Sequence, residues 1–368
     1  MRRYSEVVLN GHPDKFCDIL ADRIIRHAYQ TDPDAYAQIE VSVWSDQLFF
    51  TGGVATREKL DLDLKKLIIE TGDEIGYTRN NHIDASRYKV SDHICRMTDD
   101  PGKWSGFVND QAIVTGYAGY GMKTGFLPPE HYASWFFREK IITELKSGHL
   151  QGQGPDGKIL VMMDENGDEW RLKTLLLTLQ QQEACSFTDF TFACNKACRA
   201  AFVQLQQSDV RWKGDWKDIR VLINPNGPLV HGGSDGDNGQ TGRKLVMDFY
   251  GPRIPLGGGA LYGKDLTHID RLGSCAARHY TLELMARGAK EAMITICYAP
   301  GMNVPLDITL RTDIKPTVDP YSFFDFNEMR KLIHCNDLAY DLNKLGTFYN
   351  DQLSFNSMEI VKQSTIPL

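Results

Sequence analysis

The segment that decides the fold class is Lys158-Ile-Leu-Val-Met-Met-Asp-Glu-Asn-Gly-Asp-Glu-Trp-Arg-Leu-Lys-Thr-Leu-Leu-Leu-Thr-Leu179. Two runs rich in apolar residues, 158–163 and 170–179, flank a short polar stretch that contains Asn166-Gly167. An Asn-Gly pair between two such runs is a strong signal of a tight hairpin turn. The segment therefore predicts two adjacent antiparallel strands rather than a helical crossover between parallel strands.

The flanking sequence alternates between helix and strand patterns. Apolar residues at helical spacing predict helices over 13–30, 57–76, 188–207, from a Thr267 cap to 287, and 324–335. Strand patterns cover 39–43, 48–50, 219–223, 292–298 and 306–311, whereas 92–110 has no sustained period and is predicted to be a loop. Hairpin signals outnumber crossover signals, so we expect the α+β class, with helices packed on mostly antiparallel sheets.

The composition is that of a globular protein and excludes several classes. The chain has 368 residues, more than one ordinary core accommodates, and a net charge of −7, which argues against a general nucleic-acid binder. The N-terminus lacks an apolar segment of signal-peptide length, and no apolar run is long enough to span a membrane. The eight cysteines contain no C-x-x-C pair, so we expect free thiols in a cytoplasmic protein.

Two glycine-rich segments carry cations. The first glycine loop is Gly232-Gly-Ser-Asp-Gly-Asp-Asn-Gly-Gln-Thr-Gly-Arg243-Lys244, and the second is Gly257-Gly-Gly-Ala-Leu-Tyr-Gly-Lys264-Asp265. Glycine lets backbone N–H groups approach a phosphate, and arginine and lysine add charge. Two such loops suggest a polyphosphate held from two sides. The second loop nearly matches a Walker A loop, but Asp265 occupies the position of the magnesium-binding hydroxyl, which makes a P-loop nucleotidase the weaker interpretation.

Charged residues elsewhere could complete such a site. His12 and Asp14 precede or begin a predicted helix, where an anion or a divalent ion could bind, although a plain helix cap is the simpler interpretation. Asp270 could face a metal that Asp14 also binds. Asp156 and Lys158 could contact a ribose and a phosphate, or form only a turn. Glu40 is either a solvent-exposed strand residue or a ligand for a monovalent cation.

Six motifs occur in order from the N-terminal region to the second glycine loop. They are Gly11-His-Pro-Asp-Lys15, Asp110-Gln111 with Gly116-Tyr117, Asp156-x-Lys158, Ile223-Asn-Pro-x-Gly227, Gly236-Asp237 with Thr241-Gly-Arg-Lys244, and Gly257-Gly-Gly-Ala-x-x-Gly-Lys-Asp265. With these motifs the chain resembles the S-adenosylmethionine synthetases (methionine adenosyltransferases) over nearly its whole length. The resemblance implies three similar α+β domains in a pseudo-three-fold arrangement, which we place at 1–100, 101–230 and 231–368.

The resemblance also implies a reaction. The methionine sulfur attacks C5′ of ATP in line and expels the triphosphate, which is then cleaved to phosphate and pyrophosphate. Because the leaving group develops negative charge, fixed cations are expected to dominate catalysis. The family further implies the cofactors Mg²⁺ and K⁺, and a homodimer or homotetramer with active sites between subunits.

The family's functional positions carry over residue by residue. The triphosphate-binding and catalytic positions are His12, Lys158, Arg243, Lys244 and Lys264. The magnesium ligands are Asp14 and Asp270, and the potassium ligand is Glu40. The positions that bind ATP or the second substrate are Asp110, Asp156, Asp237, Leu229, Ala260, His268 and Val54.

The chain departs from the family mainly where the amino-acid head of methionine is bound. Val54, Met97 and His268 stand where the family has glutamate, glutamine and lysine, and Leu229 replaces an aromatic residue near the adenine. Uncharged Val54 and Met97 cannot bind an ammonium group as a carboxylate and an amide do, and His268 is expected to carry only a fractional charge. Two alternatives stay open: adenosyl transfer to another thioether or small nucleophile, and a catalytically silent regulatory paralogue that binds nucleotide.

Overall fold

The computed structural model describes residues 1–332, 348–349 and 354–363. Its strands are β1 (Arg2–Val8), β2 (Tyr36–Trp44), β3 (Gln47–Thr56), β4 (Lys89–Thr98), β5 (Ala112–Gly119), β6 (Gln153–Asn166), β7 (Glu169–Gln181), β8 (Trp212–Lys213), β9 (Arg220–Ile223), β10 (Gly239–Gln240), β11 (Glu291–Tyr298) and β12 (Asp307–Thr312). Its helices are α1 (Pro13–Thr31), α2 (Leu64–Ile75), α3 (Gly102–Ser105), α4 (Pro129–Lys146), α5 (Phe187–Ser208), α6 (Leu245–Asp248), α7 (Ile269–Ala286), α8 (Pro320–Phe323), α9 (Phe326–Arg330) and α10 (Glu359–Gln363).

The strands form separate sheets, and a long helix covers each of them. One sheet has the order β1-β6-β7-β8 with β9 also paired to β7, a second has β10-β2-β3-β4, and a third has β12-β11-β5. Helix α1 packs on β2, α4 packs on β1 and β6, and α7 packs on β5 and β11. Most pairings are antiparallel; β3–β4, β7–β8 and β7–β9 are parallel. The predicted α+β class with mostly antiparallel, helix-covered sheets is thus confirmed.

The sheets exchange strands between distant parts of the sequence. Strand β1 lies in the sheet of β6 and β7, β5 pairs with β11, and β10 pairs with β2. Each sheet therefore contains strands from more than one of the three domains predicted from the sequence. The boundaries near residues 100 and 230 stay a prediction.

Local sequence explains the elements that were predicted most closely. Pro13 occupies the first turn of α1, and Phe16, Leu20 and Ile24 are fully buried at helical spacing. The β6–β7 hairpin closes at the Asn166-Gly167 turn, as its sequence predicts. In both segments, the residues that predict the element lie close together in the sequence.

Three sequence-based predictions need correction or fall outside the described residues. The segment 92–110 is predicted to be a loop, but it contains most of β4 and all of α3. Strand β4 lies at the edge of its sheet and only its Ile94 is buried, so its sequence shows no apolar alternation. The cap of α7 is His268 rather than Thr267. The helix predicted over 324–335 is replaced by α9 up to Arg330, and residues 333–335 lie outside the described residues.

Candidate active site

The outer edge of β2 carries both glycine loops side by side. At one end β2 pairs with β10 of the first loop, with Val43 opposite Gly239. Further along, the Ile39 N–H donates to the Gly263 carbonyl over 2.7 Å, and Gln38 forms a β-bridge with Lys264 of the second loop. One strand therefore aligns the two cation-bearing segments, which are separated in sequence but adjacent in space.

His12 is the N-cap of α1, and its Nδ1 accepts the Asp14 N–H over 3.2 Å. Burial, reinforced by the positive charge of Lys244, lowers the pKa of His12 to about 3. The imidazole is therefore neutral near pH 7, and because Nδ1 acts as an acceptor, Nε2 carries the proton. In this state His12 can donate one hydrogen bond to a phosphoryl oxygen.

The N-terminus of α7 repeats this arrangement. His268 is the N-cap, its Nδ1 accepts the Asp270 N–H over 3.3 Å, and its backbone angles (φ −60°, ψ 128°) match those of His12 (φ −64°, ψ 134°). Burial, followed by the charge of Lys264, lowers the pKa of His268. A lowered pKa reduces the positive charge that His268 carries, so the residue replaces the family's lysine only in part.

The cations of the two loops lie against carboxylates. In the first loop Lys244 donates to Asp14 Oδ2, and Arg243 Nε lies 3.4 Å from Asp14 Oδ1. In the second loop Lys264 donates to Asp270 Oδ2. Each aspartate that the family resemblance assigns to magnesium is thus paired with a lysine assigned to the triphosphate. An incoming polyphosphate with its metal ion would bring matching charges, so both members of each pair could change partner without being left unneutralised.

The donor set fits a hard cation, although the described residues form no protein cage for one. In the part of the chain that the structure describes, no group of three or more His, Cys, Asp or Glu side chains is placed to hold a metal ion. Magnesium at nucleotide sites needs only one or two carboxylates, because phosphates and waters complete its shell. Asp14 and Asp270 offer such oxygens. Glu40 is half-buried on β2, and burial raises its pKa, partly offset by the charge of Lys264.

Asp156 connects the first glycine loop to the β6–β7 sheet. Its Oδ2 accepts the Gly233 N–H over 2.7 Å, and burial raises the pKa of Asp156 to about 6. Lys158 lies opposite Val8 on β1, close enough to His12 to help lower the pKa of that residue. Asp237 lies close enough to Asp156 to raise its pKa. These predicted residues therefore gather around the start of the first loop.

Other predicted substrate residues lie at different depths. Ala260 contacts the first loop, since a Cβ placed on Gly242 would lie 3.2 Å from the Ala260 Cβ. Asp110 is exposed but close enough to His268 to influence its pKa. Leu229 forms a bridge to β7. Val54, in contrast, is only 1% exposed and is packed in the hydrophobic core, so its side chain is covered within this chain. Its proposed role stays a prediction.

A buried glutamine that none of the sequence motifs contains organises this region. Gln180 has no exposed surface; its Nε2 donates to the Asn81 carbonyl over 2.8 Å and to the Val230 carbonyl over 3.0 Å. Its Oε1 accepts the Asp156 N–H over 3.4 Å. Gln180 thus joins the approach to the first loop to Asp156. The sequence feature that could have identified Gln180 is its position, since its amide side chain directly follows the apolar run that ends at Leu179.

Comparison with known proteins places the chain in a family. Residues 2–98 match the S-adenosylmethionine synthetase N-terminal domain, and residues 231–343 match the C-terminal domain. An S-adenosylmethionine synthase of Zymomonas mobilis is 31% identical over 334 residues, covering 86% of this chain and 82% of that protein. One of Methylobacterium radiotolerans is 32% identical over 331 residues, covering 86% and 81%.

A solved structure supports the fold. An unusual S-adenosylmethionine synthetase from Campylobacter jejuni aligns over 99% of both chains with a TM-score of 0.83 and 23% sequence identity. Within the described residues, no helix is long and apolar enough to cross a membrane. The family-model matches and the relatives identify the chain as an ATP-dependent transferase. More particularly, the chain belongs to the S-adenosylmethionine synthetase family.

Proposed function

We propose that this chain is a methionine adenosyltransferase, which forms S-adenosylmethionine from ATP and L-methionine and releases phosphate and pyrophosphate. The observation that carries the proposal is the placement of both cation-bearing glycine loops along one edge of β2. The cations of both loops therefore lie close to one strand edge, where they could bind a departing triphosphate. Such preorganised charge is what a reaction with a highly charged leaving group requires.

The proposed roles follow the chemistry of the side chains. Arg243, Lys244, Lys264 and Lys158 would stabilise the charge that develops on the triphosphate as the C5′–O bond breaks. His12 would add an uncharged N–H donor, in keeping with its lowered pKa of about 3. Substrates would be oriented by further members of the site: Asp110, Asp156, Asp237, Leu229, Ala260 and His268. Val54 is covered in the hydrophobic core and would act only indirectly, through packing.

Metal ions complete the proposal. Asp14 and Asp270 would hold Mg²⁺, and Glu40 would hold K⁺. When bound, Mg²⁺ would neutralise phosphate charge and orient the phosphates. Because Asp14 lies against Lys244 and Asp270 against Lys264, metal and phosphate would bind at neighbouring points once these pairs exchange partners.

We propose a homodimer or homotetramer with active sites between subunits. Large apolar side chains on the outer faces of the sheets support this assembly. Tyr4 is 53% exposed on β1, Trp44 57% on β2, Phe49 45% on β3, and Ile113 49% on β5. Apolar surface of this kind is commonly buried by association.

The test is direct product formation. The purified chain is mixed with ATP, L-methionine, Mg²⁺ and K⁺, and S-adenosylmethionine is measured by chromatography. Methionine analogues that lack the amine or the carboxylate are run in parallel, because Val54, Met97 and His268 differ from the family pattern. We expect methionine to be the best acceptor. An analogue that outperforms methionine, or no product although ATP binds, would contradict the proposal.

A further inference from the structure

Each glycine loop is held, at the residue just before its cation, by an aspartate of α1. Asp18 Oδ1 accepts the Gly242 N–H over 2.9 Å, and Asp22 Oδ1 accepts the Gly263 N–H over 3.1 Å. Gly242 directly precedes Arg243, and Gly263 directly precedes Lys264. Residues four apart in a helix lie on the same face. One face of α1 therefore holds both loops through their backbone.

The two glycines share the same backbone φ angle. Both have φ of +76°, in the left-handed region that residues with side chains rarely adopt. At Gly263, an added Cβ would also lie 2.2 Å from the Ile39 carbonyl oxygen. The loops differ in length and sequence, yet each has a left-handed glycine at the point where α1 holds it.

Buried charges fix the two aspartates in place. Lys15 has no exposed surface; it donates to Asp18 Oδ2 over 3.0 Å and to Asp248, and its Nζ lies 4.4 Å from the ring centre of Tyr262 in the second loop. Asp22 accepts two further hydrogen bonds from Arg271, each 2.9 Å long. Carboxylates tied in this way face the loop backbones and are not free to turn toward a ligand.

We propose that Asp18 and Asp22 are positioning residues that set the spacing between the cations of the two loops. A helix rises about 1.5 Å per residue, so these acceptors stand about 6 Å apart along a rigid axis. The turn before Arg243 and the turn before Lys264 are thereby kept at a constant separation. Cations placed with this accuracy match a polyphosphate, and in that respect the inference rests on the proposed function.

Calorimetric titration with inorganic tripolyphosphate and Mg²⁺ tests the role of Asp18. In the full chain, Asp18→Ala should weaken binding about tenfold with an unchanged number of sites, as expected for a lost hydrogen bond to a charged group. Asp18→Asn keeps an oxygen that can accept the Gly242 N–H, but its NH2 group would face the ammonium of Lys15, so its loss of affinity should be smaller than that of Asp18→Ala rather than absent. The exposed Asp73→Ala on α2 serves as the control.

The number of sites separates positioning from plain structural damage. Damage would lower the number of sites while the remaining ones bind normally, and that result overturns the inference. Unchanged affinity in Asp18→Ala, or equal losses in the alanine and asparagine variants, also overturns it. Absence of S-adenosylmethionine formation, with tripolyphosphate binding that depends on Asp18, would refute the proposed function and leave this inference intact.

Hydrogen exchange on the unmodified chain tests the inference even when the variants do not fold. The amides of Gly242 and Gly263 should exchange at least about a hundredfold more slowly than that of the exposed Gly258. Rapid exchange at either position would overturn the inference, because a bound N–H is what each aspartate is proposed to hold.

Discussion

Replacing Asp265 by alanine should destabilise the fold far more than the loss of an ordinary helix cap. Asp265 is fully buried, and its Oδ1 accepts the Thr267 N–H (2.9 Å), the Thr267 hydroxyl (2.6 Å) and the His268 N–H (3.0 Å). Its Oδ2 accepts the Ala37 N–H of β2 over 3.3 Å. The carboxylate thus ties the second glycine loop to the start of α7 and to the edge of β2.

These contacts set the expected magnitude. A buried donor left without its acceptor costs roughly 1–3 kcal/mol, and losses within one network do not add fully. We therefore expect Asp265→Ala to lower the free energy of unfolding by about 3–5 kcal/mol. Asp265→Asn keeps one acceptor oxygen and should lose about half as much. The control is Asp63→Ala, because Asp63 caps α2 through one 3.0 Å bond from the Lys66 N–H; its cost should be about 1 kcal/mol.

Equilibrium urea unfolding followed by tryptophan fluorescence measures these differences. Protomer concentration is held fixed, since subunit association would otherwise shift the apparent stability. A loss in Asp265→Ala no larger than that in Asp63→Ala would refute the reasoning, because it would mean that the buried network contributes no more than a single exposed cap.

Three further predictions concern activity. Lys264→Ala should lower kcat about 10²–10³-fold while the KM for ATP changes less than about fivefold, since the Lys264 charge acts mainly on the transition state. The control is Lys217→Ala, because the Lys217 side chain is 80% exposed. Effects of equal size on kcat and on KM would indicate ground-state binding instead. Below pH 6, kcat/KM for ATP should fall about tenfold per pH unit, because Asp156, with its pKa of about 6, takes up a proton. Asp156→Asn should remove this acidic limb of the pH profile. An unaltered pH profile in that variant would contradict the assignment of the limb to Asp156. Chelation of metal ions with EDTA should stop product formation, and excess Mg²⁺ should restore it. The far-ultraviolet circular dichroism should not change on chelation, which would show that the fold is intact. Undiminished turnover in EDTA would disprove the metal requirement.

The sequence predicted those parts of the fold whose signals are local. The β6–β7 hairpin has its turn and both strands within one short segment, and α1 carries its proline start and apolar stripe together. Strand β4 was missed because it is an edge strand with one buried residue, so its pairing with β3 leaves little apolar pattern. Local pattern is informative only where burial is regular.

The candidate site was predictable in its members and not in its arrangement. The motif resemblance supplied His12, Asp14 and Lys264, but nothing in the sequence places the second loop against Gln38 on β2. Such contacts join residues more than two hundred positions apart. Asp265 illustrates the difference: it breaks the Walker A pattern, and the structure gives the reason, since its carboxylate binds the two residues that precede α7 and the edge of β2.

The pairing of both loops with β2 has a consequence for the newly made chain. Strands β2 and β3 can form a hairpin as soon as they leave the ribosome, but the other edge of β2 gains its partners only when residues 239–265 have been synthesised. Until then an open strand edge is available to other chains, and open edges promote aggregation. Truncated forms that end before residue 239 should therefore aggregate during expression more than forms that extend past residue 265.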